Sequence, residues 1–71
     1  MRIVLNGDPT ELPGPMSVSA LLEHLKVNPR LVAVEVDRDV IKRACYGETM
    51  VVDGTEVEVV AFVGGGAPAL G

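Results

Sequence analysis

Aromatic residues are scarce in this chain of 71 residues, which has no tryptophan and only Tyr46 and Phe62 as aromatic side chains. The formal net charge is −4. Because nucleic-acid binding relies on cationic side chains and on aromatic stacking, the composition argues against a nucleic-acid partner. With so few aromatics, the core has to be built from valine, leucine and isoleucine.

Cysteine and histidine are just as rare, with Cys45 and His24 the single residues of each type. A lone cysteine forms no internal disulfide, which is typical of a reducing compartment. We expect Cys45 to be a small buried side chain and His24 a surface histidine. Asp37 and Asp39 favour a solvated turn over acid–base chemistry. Without metal-ligand spacing or a catalytic constellation, the sequence predicts no enzyme, no metal site and no cofactor bound by this chain.

Long hydrophobic runs are also missing. No apolar stretch approaches the roughly 20 residues that span a membrane, and residues 1–7 lack the apolar region of a signal peptide. The length fits one domain with a single core. We therefore expect a cytoplasmic protein with no membrane partner, and a monomer when it is alone.

What the sequence does contain is a regular order of strand, strand, helix and further strands. A β-type run over residues 2–5 leads into Asn6-Gly7, a pair that favours a type I′ hairpin turn. The returning strand, over residues 9–12, carries Pro9. Since proline donates no hydrogen bond to a ladder, we expect this strand at a sheet edge.

One amphipathic helix follows. Ser17 is a good N-cap, and the helix is expected to end before Asn28-Pro29, because a residue that precedes proline avoids the α region. Helical spacing places four apolar side chains on one face. They are Val18, Leu21, Leu22 and Leu25.

The second half of the chain predicts strands over residues 31–36, 40–41 and 56–63, with turns at Asp37–Asp39 and at Asp53-Gly54. The strand over 56–63 is apolar on both faces toward its end, which indicates a central position in the sheet. Burying the leucines requires the helix to lie across one face. The prediction is an α+β fold of the ubiquitin-like β-grasp type, a mixed sheet with one main helix packed on one face.

A glycine run, Gly64-Gly65-Gly66, comes directly after this strand. Glycines often merely end a strand, and no helix follows that would make the run a phosphate loop. A tail without side chains is thin enough to enter a narrow channel of another protein. Its terminal carboxylate would then reach an active site there.

The sequence resembles the ThiS family, the sulfur carriers of thiamine (thiazole) biosynthesis. The resemblance covers residues 1–66, and its most specific part is Phe62-Val63-Gly64-Gly65-Gly66. It implies that Gly66 is adenylated by an E1-like enzyme of the ThiF type at the expense of ATP. It further implies conversion to a thiocarboxylate with sulfur from a cysteine desulfurase system, and delivery to thiazole synthase of the ThiG type. Gly64 and Gly65 would thread the partner active site.

The chain departs from the family pattern at its end, because residues 67–71 follow the glycines. An amide-bonded Gly66 has no free carboxylate. We expect a carrier domain over residues 1–66 and an extended segment over 67–71 that a processing protease removes. The alternative is a diverged carrier.

Partner contacts and pathway leave further alternatives open. Val60 and Phe62 on the outward face of the last strand are expected to form an apolar patch for partners, or else to be covered by a neighbouring segment. The acidic balance either steers docking onto basic surfaces or serves solubility alone. A molybdopterin-type carrier, a carrier for another pathway, or a non-catalytic interaction module with the same fold are the competing functions.

Overall fold

The computed structural model describes residues 1–63 and 67–68, in which a mixed sheet and a separate strand pair accompany one α-helix. The elements in chain order are β1 (Arg2–Leu5), β2 (Asp8–Glu11), β3 (Met16–Ser17), α1 (Val18–His24), β4 (Val32–Val36), β5 (Asp39–Ile41), β6 (Met50–Val51), β7 (Glu56–Val63) and β8 (Ala67–Pro68). The main sheet has the order β2–β1–β7–β4–β5, with β8 also paired to β7. β1 and β7 run parallel, whereas β1–β2, β4–β5 and β4–β7 are antiparallel.

The core lies between this sheet and α1. Fully buried side chains come from both layers, and burying each large aliphatic side chain stabilises the fold by about 1.5–3 kcal/mol. The largest of them are Ile3, Val18, Leu21, Leu22, Val34, Val51 and Val57. Leu25 packs half-buried against the same cluster. The predicted β-grasp architecture, with one helix on one face of a mixed sheet, is confirmed. No helix of the described residues is long and apolar enough to cross a membrane.

The predicted hairpin turn and helix start are confirmed. Asn6 and Gly7 have φ values of 49° and 84°, both in the left-handed region that a type I′ turn requires. Pro9 lies in the edge strand β2, as expected. Ser17 caps α1, because its hydroxyl oxygen accepts a hydrogen bond from the Ala20 amide at 3.1 Å.

The helix ends earlier than the sequence predicts. Its last residue is His24, and Lys26 has a left-handed φ of 59°. The Lys26 amide donates to the Glu23 carbonyl at 3.0 Å and the Val27 amide to the Leu22 carbonyl at 2.9 Å. This bond pair is a Schellman motif, which satisfies the last carbonyls before Asn28-Pro29 is reached.

Other boundaries also shift. β4 begins at Val32 because Pro29–Leu31 forms a 3-10 turn, in which Asn28 Oδ1 accepts from the Arg30 amide at 2.9 Å. The irregular region between β5 and β6 contains a second 3-10 turn, Arg43–Cys45. The sequence does not predict the two-stranded pair of β3 and β6, because these strands are too short to show a period.

Candidate functional site at the end of the central strand

β7 lies in the middle of the main sheet and leads directly to the glycine run, as the sequence predicts. On one side, Glu56 and Val57 pair with β1 in parallel. On the other side, β4 pairs antiparallel with β7 as far as Ala61. The strand that carries the candidate site is therefore anchored by both neighbours at its start and by β4 nearly to its end.

The outward side of β7 carries the predicted partner residues. Side chains alternate along a strand, so Val60 and Phe62 lie on the face opposite to the buried Val57. Both are half-buried. Val60 stands opposite Ala33 of β4, and Phe62 stands opposite Pro68 of β8. The role of these two side chains as a partner patch stays a prediction.

Acidic side chains adjoin these apolar ones. Glu58 stands directly opposite Glu35 of β4. Like charges in directly opposed positions destabilise a sheet, and the one salt bridge within residues 1–63 and 67–68 joins Arg2 to Glu11 at 2.7 Å, elsewhere in the sheet. We call Glu35, Glu58, Val60 and Phe62 the acidic–apolar face. It offers an apolar contact beside uncompensated negative charge.

The three glycines of the predicted site, Gly64, Gly65 and Gly66, lie outside the described residues. The segment beyond them returns to β7, with Ala67 opposite Val63 and Pro68 opposite Phe62 in antiparallel pairing. Residues 67 and 68 are thus in a strand, whereas residues 69–71 of the predicted extended segment lie outside the described residues. That a protease removes this segment stays a prediction.

The other candidate residues do not form a site together. His24 is exposed at the end of α1, as expected, and Cys45 is half-buried, less than the full burial predicted. Asp37 has a structural role, because its Oδ1 accepts from the Glu56 amide at 3.0 Å. Asp39 is exposed in β5. Among the described residues, no cluster of histidine, cysteine, aspartate or glutamate could hold a metal ion.

Asn6 makes contacts that the sequence does not predict, because Asn6-Gly7 indicates only a turn. Its Oδ1 accepts a hydrogen bond from the Val59 amide at 2.7 Å, and its Nδ2 donates to the Val59 carbonyl at 3.3 Å. The Asn6 backbone amide also donates to the Val57 carbonyl at 2.9 Å. The turn residue is therefore bonded to the strand that leads to the glycine run.

Comparison with known proteins identifies the family. The ThiS family model matches residues 3–66 of this chain. The chain belongs to the ThiS family. Among solved structures, the crystal structure of the thiamine biosynthesis protein ThiS from Geobacter metallireducens is similar to it, with a TM-score of 0.84 and 38% sequence identity. That alignment covers 93% of this chain and all of the other.

Curated relatives of this ThiS-family chain include much longer proteins. A thiazole synthase of Paramagnetospirillum magneticum is 40% identical over 67 residues, which cover 94% of this chain and 21% of that protein. A thiazole synthase of Magnetococcus marinus is 38% identical over 66 residues, which cover 93% of this chain and 20% of that protein. The chain therefore spans about a fifth of the length of these relatives.

Proposed function

We propose that this chain is a sulfur carrier of thiamine biosynthesis and acts as a cosubstrate of other enzymes. The observation that carries the proposal is the extent of the family match, which runs from residue 3 to Gly66, the last residue of the glycine run. β7 leads to that run from the centre of the sheet.

The chemistry requires only a bare carboxylate from the carrier. A Gly66 carboxylate oxygen attacks the α-phosphorus of ATP on an E1-like activating enzyme, and pyrophosphate leaves. A persulfide supplied by a cysteine desulfurase system then displaces AMP from the acyl adenylate to form an acyl disulfide, and a further thiol cleaves its S–S bond, which releases the thiocarboxylate and leaves a disulfide. ATP is bound by the activating enzyme, so this chain needs no cofactor. Gly64 and Gly65 give the tail the thinness to enter that active site.

Residues 67–71 have to be removed before this chemistry begins. In the chain as written, the Gly66 carbonyl is bonded to Ala67. A processing protease that cleaves after Gly66 would release the carboxylate. The same cut removes β8, which pairs with Phe62 and Val63.

Thiazole synthase is the proposed acceptor of the sulfur. Two relatives named thiazole synthase contain a segment that matches nearly this whole chain, along with about four fifths further sequence. A carrier segment within a synthase chain supports a direct encounter between the two. The acidic–apolar face is the surface that we propose for docking onto the synthase and the activating enzyme.

Intact-protein mass spectrometry of the untagged protein, isolated from its native cells, tests the proposal. We expect a species that ends at Gly66, part of which has one carboxylate oxygen replaced by sulfur. If only the chain to Gly71 appears while sulfur transfer to thiazole is active, Gly66 is not the carrier end. An interaction module would then be the better description.

A further inference from the structure

The side chain of Asn6 extends the pairing of β1 with β7 beyond the end of β1. The ladder between these strands ends at Leu5, opposite Val57. The chain then turns away at Asn6 and Gly7. The Asn6 amide group nevertheless accepts from the Val59 amide and donates to the Val59 carbonyl, at 2.7 and 3.3 Å. A side chain thus takes the place of the next backbone unit of β1.

Asparagine is suited to both tasks at this position. The residue has a φ of 49°, which asparagine tolerates better than most side chains do. Its amide has one acceptor and one donor group, as a backbone unit does. Aspartate would offer only acceptors and would repel the Val59 carbonyl, while glycine would keep the turn and lose both bonds.

This contact lies just beyond the end of the pairing between β1 and β7. Among the described residues, β1 pairs with β7 no further than Val57, and β4 pairs as far as Ala61. The glycine run starts shortly after. β8 pairs with Phe62 and Val63 in the full chain, so once residues 67–71 are removed the Asn6 amide is the described contact from β1 that lies closest to the run.

We propose that Asn6 is a positioning residue that fixes the direction in which β7 presents the glycine tail to the activating enzyme. This inference rests on the proposed carrier function. At about 3.3 Å per residue, the strand from Val59 to Val63 is about 13 Å long. Over that length a small tilt of the strand at Val59 displaces its end, where the glycine run begins, by a few ångströms. A strand that is already held costs less entropy to order on binding.

The test measures steady-state activation of chains that end at Gly66, with an E1-like enzyme and ATP. Among the residues whose burial the structure describes, the core lies between Ile3 and Val57, and the shortened chain keeps all of these residues. Asn6→Gly keeps the turn and removes both side-chain hydrogen bonds to Val59. We expect its KM to rise at least about fivefold, because two hydrogen bonds are lost and one alone corresponds to about that factor, while kcat stays within about twofold of the original value. Asn6→Asp keeps the acceptor alone, and we expect its KM to lie between that of the original chain and that of Asn6→Gly.

Two further measurements separate positioning from general stability. Amide hydrogen exchange on the full chain should show faster exchange at Val59 in Asn6→Gly, with Val34 unchanged. Val51→Ala is the control. It removes core packing that β6 contributes, and Val51 pairs with β3 and not with β7. At a temperature where all variants are folded, we expect its KM to be unchanged.

Three results would overturn the inference or its basis, and each is distinct. If the KM of Asn6→Gly is unchanged although exchange at Val59 is faster, the hydrogen bonds from Asn6 to Val59 do not position the tail. An equal rise of KM in Val51→Ala shows a purely structural effect. If the unaltered chain ending at Gly66 is not activated at all, the carrier function itself fails, and the positioning role fails with it.

Discussion

The glycines near the end of this chain have their proposed roles because they carry no side chain. Gly65 and Gly64 contribute no atoms beyond the backbone, so a tail built from them fits where a side chain would collide. In the part of the chain that the structure describes, by contrast, the buried core extends from Ile3 to Val57. Changes in the tail should therefore affect activation and leave the free energy of unfolding unaltered.

Gly65→Trp tests this separation. In the chain ending at Gly66, we expect the indole to block entry of the tail into the activating enzyme and to abolish adenylation. The melting temperature should stay within error of the original chain, because the core residues that the structure describes lie between Ile3 and Val57. The measurements are ATP–pyrophosphate exchange and thermal unfolding. A large drop in melting temperature would show that the glycines are structural.

Secondary-structure elements in this protein end at residues with left-handed backbone conformations, and several of these are not glycine. Lys26 ends α1 at φ 59°, while Asp37 and Arg38 form the turn between β4 and β5 at φ 48° and 71°. Left-handed backbone costs a side-chain-bearing residue about 1–2 kcal/mol. The hydrogen bonds of the Schellman motif at Lys26 and of Asp37 to Glu56 hold these conformations.

Lys26→Gly should therefore stabilise the protein. We expect a gain of about 0.5–1 kcal/mol in the free energy of unfolding, less than the full conformational cost because glycine also gains freedom in the unfolded chain. Lys26→Ala is the matched control, since it removes the charge and keeps the Cβ atom. Urea unfolding compares the two variants. Equal stability of both would mean that the left-handed position is not strained.

The whole molecule has a formal net charge of −4, and part of that charge is concentrated on the acidic–apolar face. Glu35 and Glu58 are opposed there at some cost to the sheet. A partner with a basic surface would relieve this repulsion. Electrostatic attraction of this kind raises association rates and weakens with salt.

Glu58→Lys should have opposite effects on stability and on docking. Converting a like-charged cross-strand pair into an opposite pair should raise the free energy of unfolding by about 0.2–1 kcal/mol. The association rate with the activating enzyme should fall, and so should its salt dependence. Glu23→Lys, an exposed change on α1, is the control with the same change in net charge. If both variants slow association equally, net charge matters and the acidic–apolar face does not.

The sequence by itself determined the features that rest on local chemistry. The periodicity of Val18, Leu21 and Leu22 predicted the helix, Asn6-Gly7 predicted the first hairpin, and the valine-rich run predicted β7 as a central strand. These signals are readable because each involves residues close together in the chain. The glycine run and its family resemblance likewise needed no tertiary structure, and the family match confirms the resemblance.

Only the tertiary structure decided which distant residues meet. Asn6 and Val59 are 53 positions apart, and nothing near either residue indicates that a turn side chain will pair with that strand. The opposition of Glu35 and Glu58 depends on the register of two strands, which the packing of both buried faces sets. β3 and β6 are strands only because they pair with each other, since two residues show no period of their own. Such contacts follow from the assembled core, which no local segment encodes.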